Sequence, residues 1–517
     1  PTPARTTRGR PARPGAVGTP LAQLDGMGLS GVWKRVRGTL GERPHNLLAI
    51  SDLHLGCDLK PGAKPARRGF DTQLAGFLDH HAGSRKNGKP WRLILDGDIV
   101  DFVAITVTPA PSDASFEISD EERQFGLASE EAKCVWKLRQ TFARHPEVFD
   151  AFARFLQKGN FLHIVRGNHD AEFHWPAVQA EFKTQLSARL GLAGYARRRF
   201  EQRIQFHPWF YLEPGFFYAE HGNAHDRYSV QSGFFDPAGV SHELDLPLSS
   251  KVLRYFANRY AEQTDLDEVD TWGVPEYIDW VLKAGNPLRI AADYFVMVWR
   301  VTYPVFVQSL KAWRRFARAA DKAISQVDAH ASSAHLRKAL GRFSGTEAQA
   351  RQLLAVASRP AEESLFDSMQ LFYLDRAVLA VLGLLGAFVA VGAAHGLWAK
   401  LAGCVATGIA FAAVNAVLAR LRKTDSHPML QQAARRVAQL FDVKYVVMGH
   451  SHRVVDEPIG SGARYLNLGS WTNARVGFPH VAVEEGVAEL RYWQNGSVRA
   501  EVREEPQPGP APLPIPA

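Results

Sequence analysis

Cysteine is scarce in this chain of 517 residues, which contains only three. Cys57, Cys134 and Cys404 lie far apart and form neither a metal-type spacing nor a disulfide framework. We therefore expect free thiols in a reducing compartment. The same scarcity argues against a purely structural zinc site, since such sites rely on cysteine ligands.

A uniformly basic surface is also lacking. The formal net charge is +8 and the pI is near 9.3, but the excess is concentrated in arginine-rich segments. No basic stripe with interleaved aromatic residues lies near the motifs described below. We therefore do not expect nucleic acid to be a partner.

Charge is almost absent from two neighbouring segments, 377–399 and 401–419. His395 is the one exception within them, and Lys400 alone separates them. Each segment is close to the roughly 20 residues that cross a bilayer as a helix. Charged residues flank the pair at both outer ends, and these ends would lie on one side of a membrane: Asp375, Arg376, Arg420, Arg422 and Lys423. We predict a transmembrane hairpin at 377–419 with cytoplasmic ends; the alternatives are a buried helical hairpin and an oligomer interface.

The length and a hydrophobic content of 46% suggest one core domain with a large insertion. Residues 1–30 are rich in Pro, Gly, Ala and Arg, and residues 504–517 are rich in Pro, so we predict two disordered tails, the first of them basic. The core is expected at 44–226 and 436–503. Residues 227–435 have a largely helical pattern and are predicted to be the insertion.

Five apolar runs, each followed by polar residues at a glycine turn, dominate the core segments. They are 46–50, 91–95, 161–166, 216–219 and 445–448. The first two enclose a predicted helix near 69–82, and this βαβ alternation predicts an α/β fold with a parallel sheet. Residues 465–471 and 481–502 are predicted to form antiparallel strands that close a second sheet.

Seven side chains at the ends of these runs share the donor chemistry of borderline divalent ions. They are Asp52, His54, Asp98, Asn168, His221, His450 and His452. Seven ligands are too many for one such ion, but they divide into two sets of four if the two oxygens of Asp98 serve both ions. A two-metal site, with ions about 3.5–4 Å apart, activates water for attack on phosphorus. Manganese is favoured, with iron and zinc as alternatives.

The order of these motifs resembles the calcineurin-like metallophosphoesterase superfamily. The motifs are Asp52-x-His54, Gly97-Asp98-x-x-Asp101, Gly167-Asn168-His169-Asp170, His221-Gly222 and Gly449-His450-x-His452. The resemblance covers about residues 44–226 and 436–500. It implies a four-layer α/β/β/α sandwich of two mixed sheets, with the long helical insertion between the fourth and fifth motifs.

The resemblance also implies a role for each motif residue. One ion would be held by Asp52, His54 and His452, and the other by Asn168, His221 and His450, with Asp98 shared. His169 would protonate the leaving oxygen or stabilise charge on the phosphoryl group, and Asp170 would orient His169. Asp101 fits a supporting partner of the same kind. Asp96 and Asp226 are as compatible with turn or capping hydrogen bonds.

Within the superfamily, residues 51–56, 221–223 and 449–453 look most like the UDP-2,3-diacylglucosamine diphosphatase branch, which cleaves a pyrophosphate in a lipid-linked nucleotide sugar. Two residues depart from that branch: His169 stands where it typically has Arg, and Asn223 where it has an acidic residue. We expect a phosphohydrolase at the cytoplasmic face of the inner membrane, acting on a lipid-linked or nucleotide-type phosphate or pyrophosphate ester. The alternatives are a soluble cytoplasmic nucleotide phosphodiesterase or phosphatase, and a non-catalytic, metal-stabilised scaffold.

Two further features leave alternatives open. Arg166 and Arg453 flank the motifs and would either clamp a phosphate or form surface salt bridges. The stretch 294–304 mixes aromatic residues with Arg300, so it would lie either in a membrane interface or in the core of the insertion.

Overall fold

The structure is a computed structural model. It describes residues 44–61, 68–231, 237–238, 242–260, 286–316, 346–421, 425–472 and 477–500. The predicted disordered tails, 1–30 and 504–517, and parts of the predicted insertion therefore lie outside the described residues.

The fold is α/β with two mixed sheets. The strands of the described residues are β1 (Asn46–Ile50), β2 (Trp91–Asp96), β3 (Phe161–Val165), β4 (Ile204–His207), β5 (Phe210–Glu213), β6 (Phe217–Glu220), β7 (Tyr445–Met448), β8 (Val454–Gly460), β9 (Ala463–Leu468), β10 (Phe478–Glu484), β11 (Val487–Gln494) and β12 (Ser497–Arg499). The first sheet has the order β12-β11-β10-β1-β2-β3-β4, and the second has the order β5-β6-β7-β9-β8.

Helices fill most of the connections between these strands. They are α1 (Arg68–Gly83), α2 (Asp120–Phe125), α3 (Glu131–Arg144), α4 (Pro146–Gln157), α5 (Pro176–Ala188), α6 (Gly194–Glu201), α7 (Leu248–Tyr255), α8 (Pro287–Phe316), α9 (Glu347–Val356), α10 (Leu365–Leu371), α11 (Leu374–Ala393), α12 (Leu397–Leu421) and α13 (His427–Phe441). Helices α4 and α5 begin at a proline, whose fixed φ suits the first helical position.

The predicted parallel sheet is confirmed for four strands, because β1, β2, β3 and β4 pair in parallel in that order. The antiparallel strands predicted for residues 481–502 are present as β10, β11 and β12, but they do not close the second sheet. β10 pairs antiparallel with β1, and β11 and β12 follow it, so these strands extend the first sheet. β9 does join the second sheet, where it pairs parallel to β7 and antiparallel to β8.

Alternation along the strands divides the buried apolar residues between the two sheet faces. In β1, Leu48 and Ile50 pack in a cluster with residues of α1, α3, α4 and α5, whereas Leu47 and Ala49 pack with residues of β6, β7 and β9. On the other side of the second sheet, Val446 of β7 packs with α13. The sheets therefore share one apolar interface, and each also packs against helices.

The expected boundary at residue 435 falls inside α13, whose buried face packs against the second sheet. Leu353 of α9 joins the same cluster. Another part of the described insertion forms a separate small cluster, in which Leu248 of α7 packs with Met297, Val298 and Val301 of α8. Phe372, just before α11, completes this cluster.

Helices α11 and α12 coincide with the predicted hairpin. They pack against each other through small residues, with Gly386 beside Thr407 and Gly383 beside Phe411. Both pass a length and hydropathy test for a membrane span, with mean hydropathy 2.1 and 2.0, and no residue of either apolar window is buried. The structure thus does not place this hairpin in the core of the chain.

Candidate metal centre

The polar motifs follow the carboxyl ends of strands that lie side by side. The turns after β1, β2 and β3 leave the first sheet, and those after β6 and β7 leave the second. Because the strands within each group are parallel, their carboxyl ends meet at one edge. The five predicted motifs are thereby brought to one region between the sheets.

Five of the seven predicted ligands have a left-handed backbone, which is uncommon for residues other than glycine. They are Asp52 (φ 55°), His54 (φ 45°), Asp98 (φ 53°), His450 (φ 65°) and His452 (φ 54°). Such a conformation costs of order 1–3 kcal/mol and is concentrated at functional sites. The strain turns these side chains back toward a common centre.

Glycine is required beside two of these ligands. Gly97 has φ +85°, and a Cβ there would collide with the ring of His221. A Cβ on Gly167 would lie 2.7 Å from the backbone nitrogen of Asp98. The turn after β2 can therefore approach the turns after β3 and β6 only because these positions carry no side chain.

One group of donor atoms gathers around Asp52. Its Oδ1 lies 3.1 Å from His452 Nε2 and 3.9 Å from His54 Nε2. Its Oδ2 accepts hydrogen bonds from the hydroxyl of Ser51 and the backbone N–H of His450. The side chain is thus held by one oxygen, and the other faces two histidines.

A second group gathers around Asp98, which faces His221 and His450. Asp98 Oδ2 lies 3.0 Å from His221 Nε2 and 4.0 Å from His54 Nε2, so this atom is shared between the two groups. Asp98 Oδ1 accepts the backbone N–H of His169 at 2.8 Å. Oδ2 is therefore the Asp98 atom that faces both groups of donor atoms, whereas Oδ1 faces the backbone of the turn after β3.

Two buried ligand atoms, His54 Nε2 and Asn168 Oδ1, have no hydrogen-bond partner, and Asp52 Oδ1 and His221 Nε2 have only ion-pair neighbours that lack hydrogen-bond geometry. Orphaned polar atoms are rare in buried sites and require an explanation. The donor atoms of each group lie within 4.8 Å of one another, only slightly more than the roughly 4.4 Å that can separate two atoms bound to one ion at about 2.0–2.2 Å. These residues fit a divalent metal site.

Neighbouring groups orient several of the histidine ligands from behind. His221 Nδ1 donates to the backbone carbonyl of Asp96 at 2.8 Å, and His54 Nδ1 donates to Asp101 Oδ2 at 3.0 Å. In both residues the hydrogen bond leaves Nε2 directed at the candidate centre. This arrangement is usual for metal-binding histidines.

The expected role of Asp170 belongs to a different residue. Asp170 accepts hydrogen bonds from the backbone N–H groups of Gly167 and Ile99, and it does not contact the ring of His169. Asp101 Oδ1 instead lies 3.1 Å from His169 Nδ1, so one carboxylate orients both His169 and His54. Asp170 thus supports the turn, whereas Asp101 contacts the two histidine rings.

The buried carboxylates of this region favour a positive charge nearby. Burial raises the pKa of Asp98, but His221 and His169 lower it further, so its pKa lies well below its usual range. Burial lowers the pKa of His221, but Asp98 and Asp52 raise it to about 10. In the metal-free protein, protonated imidazole therefore compensates the buried carboxylates.

Asp226 is the ligand-orienting residue that sequence reasoning did not single out. Its Oδ2 lies 3.1 Å from His450 Nε2 and also accepts the hydroxyl of Ser229, while its Oδ1 accepts the backbone N–H of Tyr228. It thus makes the turn hydrogen bonds that were expected and also orients His450. Its position five residues after His221 was the only available signal, and that spacing alone does not identify a role.

The two flanking arginines have different surroundings. Arg166 is buried, and burial lowers its pKa to about 10 despite the charges of Asp170 and Glu172. Arg453 is exposed and lies 3.3 Å from Asp425. Of the two alternatives, a surface salt bridge is therefore present for Arg453, whereas the buried Arg166 does not form one at the surface. No disulfide joins Cys57, Cys134 and Cys404, all of which lie among the described residues, and Cys134 is the buried one of the three.

Comparison with known proteins adds no relative to this description. A scan against models of known protein families finds no match to the chain, and a search of curated proteins finds none either. The residues of the centre and their geometry therefore carry the functional argument by themselves.

Proposed function

We propose that this chain is a dinuclear metal-dependent phosphohydrolase of the calcineurin-like metallophosphoesterase type. The observation that carries the proposal is Asp98 Oδ2, which faces His221 on one side and His54 on the other. The other predicted ligands form the two groups around this atom, divided as the resemblance implies. The proposed fold is the four-layer α/β/β/α sandwich, in agreement with the apolar cluster between the sheets.

The residues divide into two proposed ligand sets. Asp52, His54 and His452 would hold one ion, and Asn168, His221 and His450 the other, with Asp98 common to both. Two divalent ions, manganese in our proposal, supply a Lewis acid and a water nucleophile of lowered pKa. Iron and zinc suit the same nitrogen and oxygen donors.

His169 is the proposed catalytic residue of the protein itself. Its ring lies 4.7 Å from that of His54, its side chain is 22% exposed, and Asp101 holds its Nδ1. Burial lowers the pKa of His169, but Asp101 and Asp98 raise it above the usual value. A protonated ring at that place can donate a proton from Nε2 to the oxygen that leaves phosphorus.

Substitution separates the metal ligands from the catalytic residue. Asp98→Asn and His450→Ala should lose bound metal, measured by elemental analysis, together with hydrolysis of bis-p-nitrophenyl phosphate. His169→Ala should keep its metal and lose hydrolysis by about 10²–10⁴-fold. Asp79→Asn, at an exposed carboxylate that binds Arg154, is the control. Full hydrolysis in Asp98→Asn would overturn the proposal, and a wild-type chain that binds metal without hydrolysing the diester would favour a non-catalytic scaffold.

The membrane is the proposed place of action, and the hairpin of α11 and α12 supports it. Its apolar surface is exposed along both helices, and its flanking residues Arg376 and Arg420 lie at the same end. We propose that the core lies on the cytoplasmic side and acts on a lipid-linked or nucleotide-type ester. Retention of the full chain in the membrane fraction after alkaline carbonate tests this. A chain that is soluble without lipid or detergent would leave the soluble nucleotide phosphodiesterase as the better proposal.

A further inference from the structure

Helix α8 has two apolar faces, of which the described residues cover only one. On the inner face Ile290 is buried, and Met297, Val298 and Val301 are buried within the small cluster of the insertion. The opposite side carries large apolar residues that are exposed by 49–82%, and we call it the outer face of α8: Leu288, Phe295, Trp299, Tyr303 and Phe306. Their spacing places all five within one stripe of the helix.

This outer face is unusual for a surface in contact with water. Among the exposed side chains that the structure describes between positions 291 and 306, none is charged. Trp299 and Tyr303 stack on each other with ring centroids 4.8 Å apart. Four half-exposed aromatic rings present roughly 400 Å² of apolar surface, which is as large as the biggest patch on a typical monomer.

The position of α8 relative to the hairpin suggests what covers this face. The hydroxyl of Tyr294, in the middle of α8, donates to the backbone carbonyl of Phe372. Phe372 lies two residues before α11, and its side chain packs with Met297 and Val301. α8 therefore passes close to the beginning of α11. A membrane surface would lie at this level if the hairpin crosses the membrane. Tryptophan and tyrosine are enriched at that depth.

The inner contacts join α8 to the core. Arg300 Nη1 lies 2.7 Å from Glu121 Oε2 of α2, and its guanidinium stacks over Phe125. On the neighbouring turn, Asp293 accepts the hydroxyl of Tyr260 at 2.7 Å. α7, which packs on α8, also reaches the centre, since the hydroxyl of Ser250 lies 3.4 Å from the backbone carbonyl of Asn168.

We propose that the outer face of α8 lies in the headgroup region of the phospholipid bilayer that the hairpin crosses, as an interfacial helix. The proposal rests on the membrane part of the proposed function and goes beyond it. The hairpin holds the chain to the membrane, whereas α8 fixes how the core is oriented on it. Interfacial helices bind in this way, with an apolar face in the headgroup and acyl boundary.

An environment-sensitive fluorophore on the full chain tests this proposal. Cys57→Ser and Cys404→Ala leave only the buried Cys134, and single cysteines are then introduced for labelling with nitrobenzoxadiazole. Phe295→Cys reports on α8, and Trp398→Cys reports on the hairpin. Tyr195→Cys, on α6, is the matched control, because Tyr195 and Phe295 are exposed by 68% and 67%. The proteins are reconstituted in phosphatidylcholine vesicles that contain nitroxide-labelled lipid.

The label at 295 should be quenched at least twofold more strongly than the label at 195, and more by a nitroxide near the headgroup than by one at the end of the acyl chain. A label at 398 that is quenched while the label at 295 is not would overturn the proposal and leave the membrane hairpin intact. If neither is quenched, both the proposal and the membrane part of the proposed function fail. A label at 295 that is shielded from lipid and from aqueous iodide would assign the face to a second copy of the chain.

Discussion

Asp101 contacts two different histidines of the candidate metal centre. Its two oxygens accept hydrogen bonds from His54 and His169, so one carboxylate sets the ring orientation of a predicted ligand and of the proposed catalytic residue. It also accepts the backbone N–H of Ala104, which fixes its own position. Sequence reasoning gave Asp101 only a general supporting part because one turn of sequence does not show which histidine faces which carboxylate.

Removing the charge of Asp101 should weaken both metal binding, through His54, and hydrolysis, through His169. In Asp101→Asn only one oxygen can accept a hydrogen bond, so either His54 or His169 loses its partner. We expect metal affinity to fall by about 10–100-fold, as is usual for residues that orient metal ligands. Calorimetric metal titration and the rate of phosphodiester hydrolysis measure this. Asp79→Asn should change neither, and an unchanged affinity and rate in Asp101→Asn would refute the orienting role.

His221 should make metal binding depend on pH. Its pKa is about 10 in the metal-free protein, where Asp98 and Asp52 outweigh the effect of burial, so the ring is protonated at pH 7. A metal ion must displace that proton, since only the neutral ring is a ligand. Affinity should therefore rise with pH up to about pH 10 and fall as the solution becomes more acidic.

Proton release is the direct measurement of this effect. Titration calorimetry with manganese in two buffers of different ionisation enthalpy should show at least one proton released for each protein at pH 7. His221→Ala should release fewer protons and bind more weakly. Binding that releases no proton would show that the ring is already neutral.

At the scale of elements, local patterns predicted the strands well. β1 and β7 have the predicted bounds, and α1, at Arg68–Gly83, matches the helix expected near 69–82. Buried apolar runs that end in glycine turns carry this information locally. Sheet membership is not local, and β10 to β12 were assigned to the wrong sheet because pairing with β1 joins residues more than 400 positions apart. The bound at 435 failed for a similar reason, since only packing shows that α13 belongs with the core.

A substitution can test the close approach of the turns after β2 and β3. Gly167→Ala would place a Cβ 2.7 Å from the backbone nitrogen of Asp98 and 3.0 Å from its carboxyl carbon, so the two turns must move apart. Overpacking of this kind costs typically about 1–3 kcal/mol. We expect loss of bound metal together with a lower midpoint of chemical unfolding.

Gly69→Ala is the matched control, because a Cβ there meets no atom within 4 Å and lies in the first turn of α1. It should be neutral or slightly stabilising, since alanine favours helix. Metal content in Gly167→Ala equal to that of Gly69→Ala would show that the turns need not approach so closely.

For the whole molecule, the centre joins the two sheets. Asp52, Asp98 and Asn168 follow strands of the first sheet, and His221 and His450 follow strands of the second. Bound ions would therefore connect the sheets at the edge of the apolar interface that holds them together. The motif order could be recognised from sequence, but this connection between sheets could not, since it depends on which strand joins which sheet.

Metal removal should consequently destabilise the protein as a whole and not only inactivate it. Ions bound to the folded state alone stabilise it by about 2.7 kcal/mol at a free concentration of 100 times Kd. Treatment with a chelator, in the detergent used for purification, should lower the thermal midpoint by several degrees, and manganese should restore it. Asp98→Asn, which lacks the shared ligand, should show a low midpoint that neither treatment changes. A wild-type midpoint that is insensitive to chelation would mean that the two sheets hold together without the ions. The stability of the fold would then not depend on the metal centre.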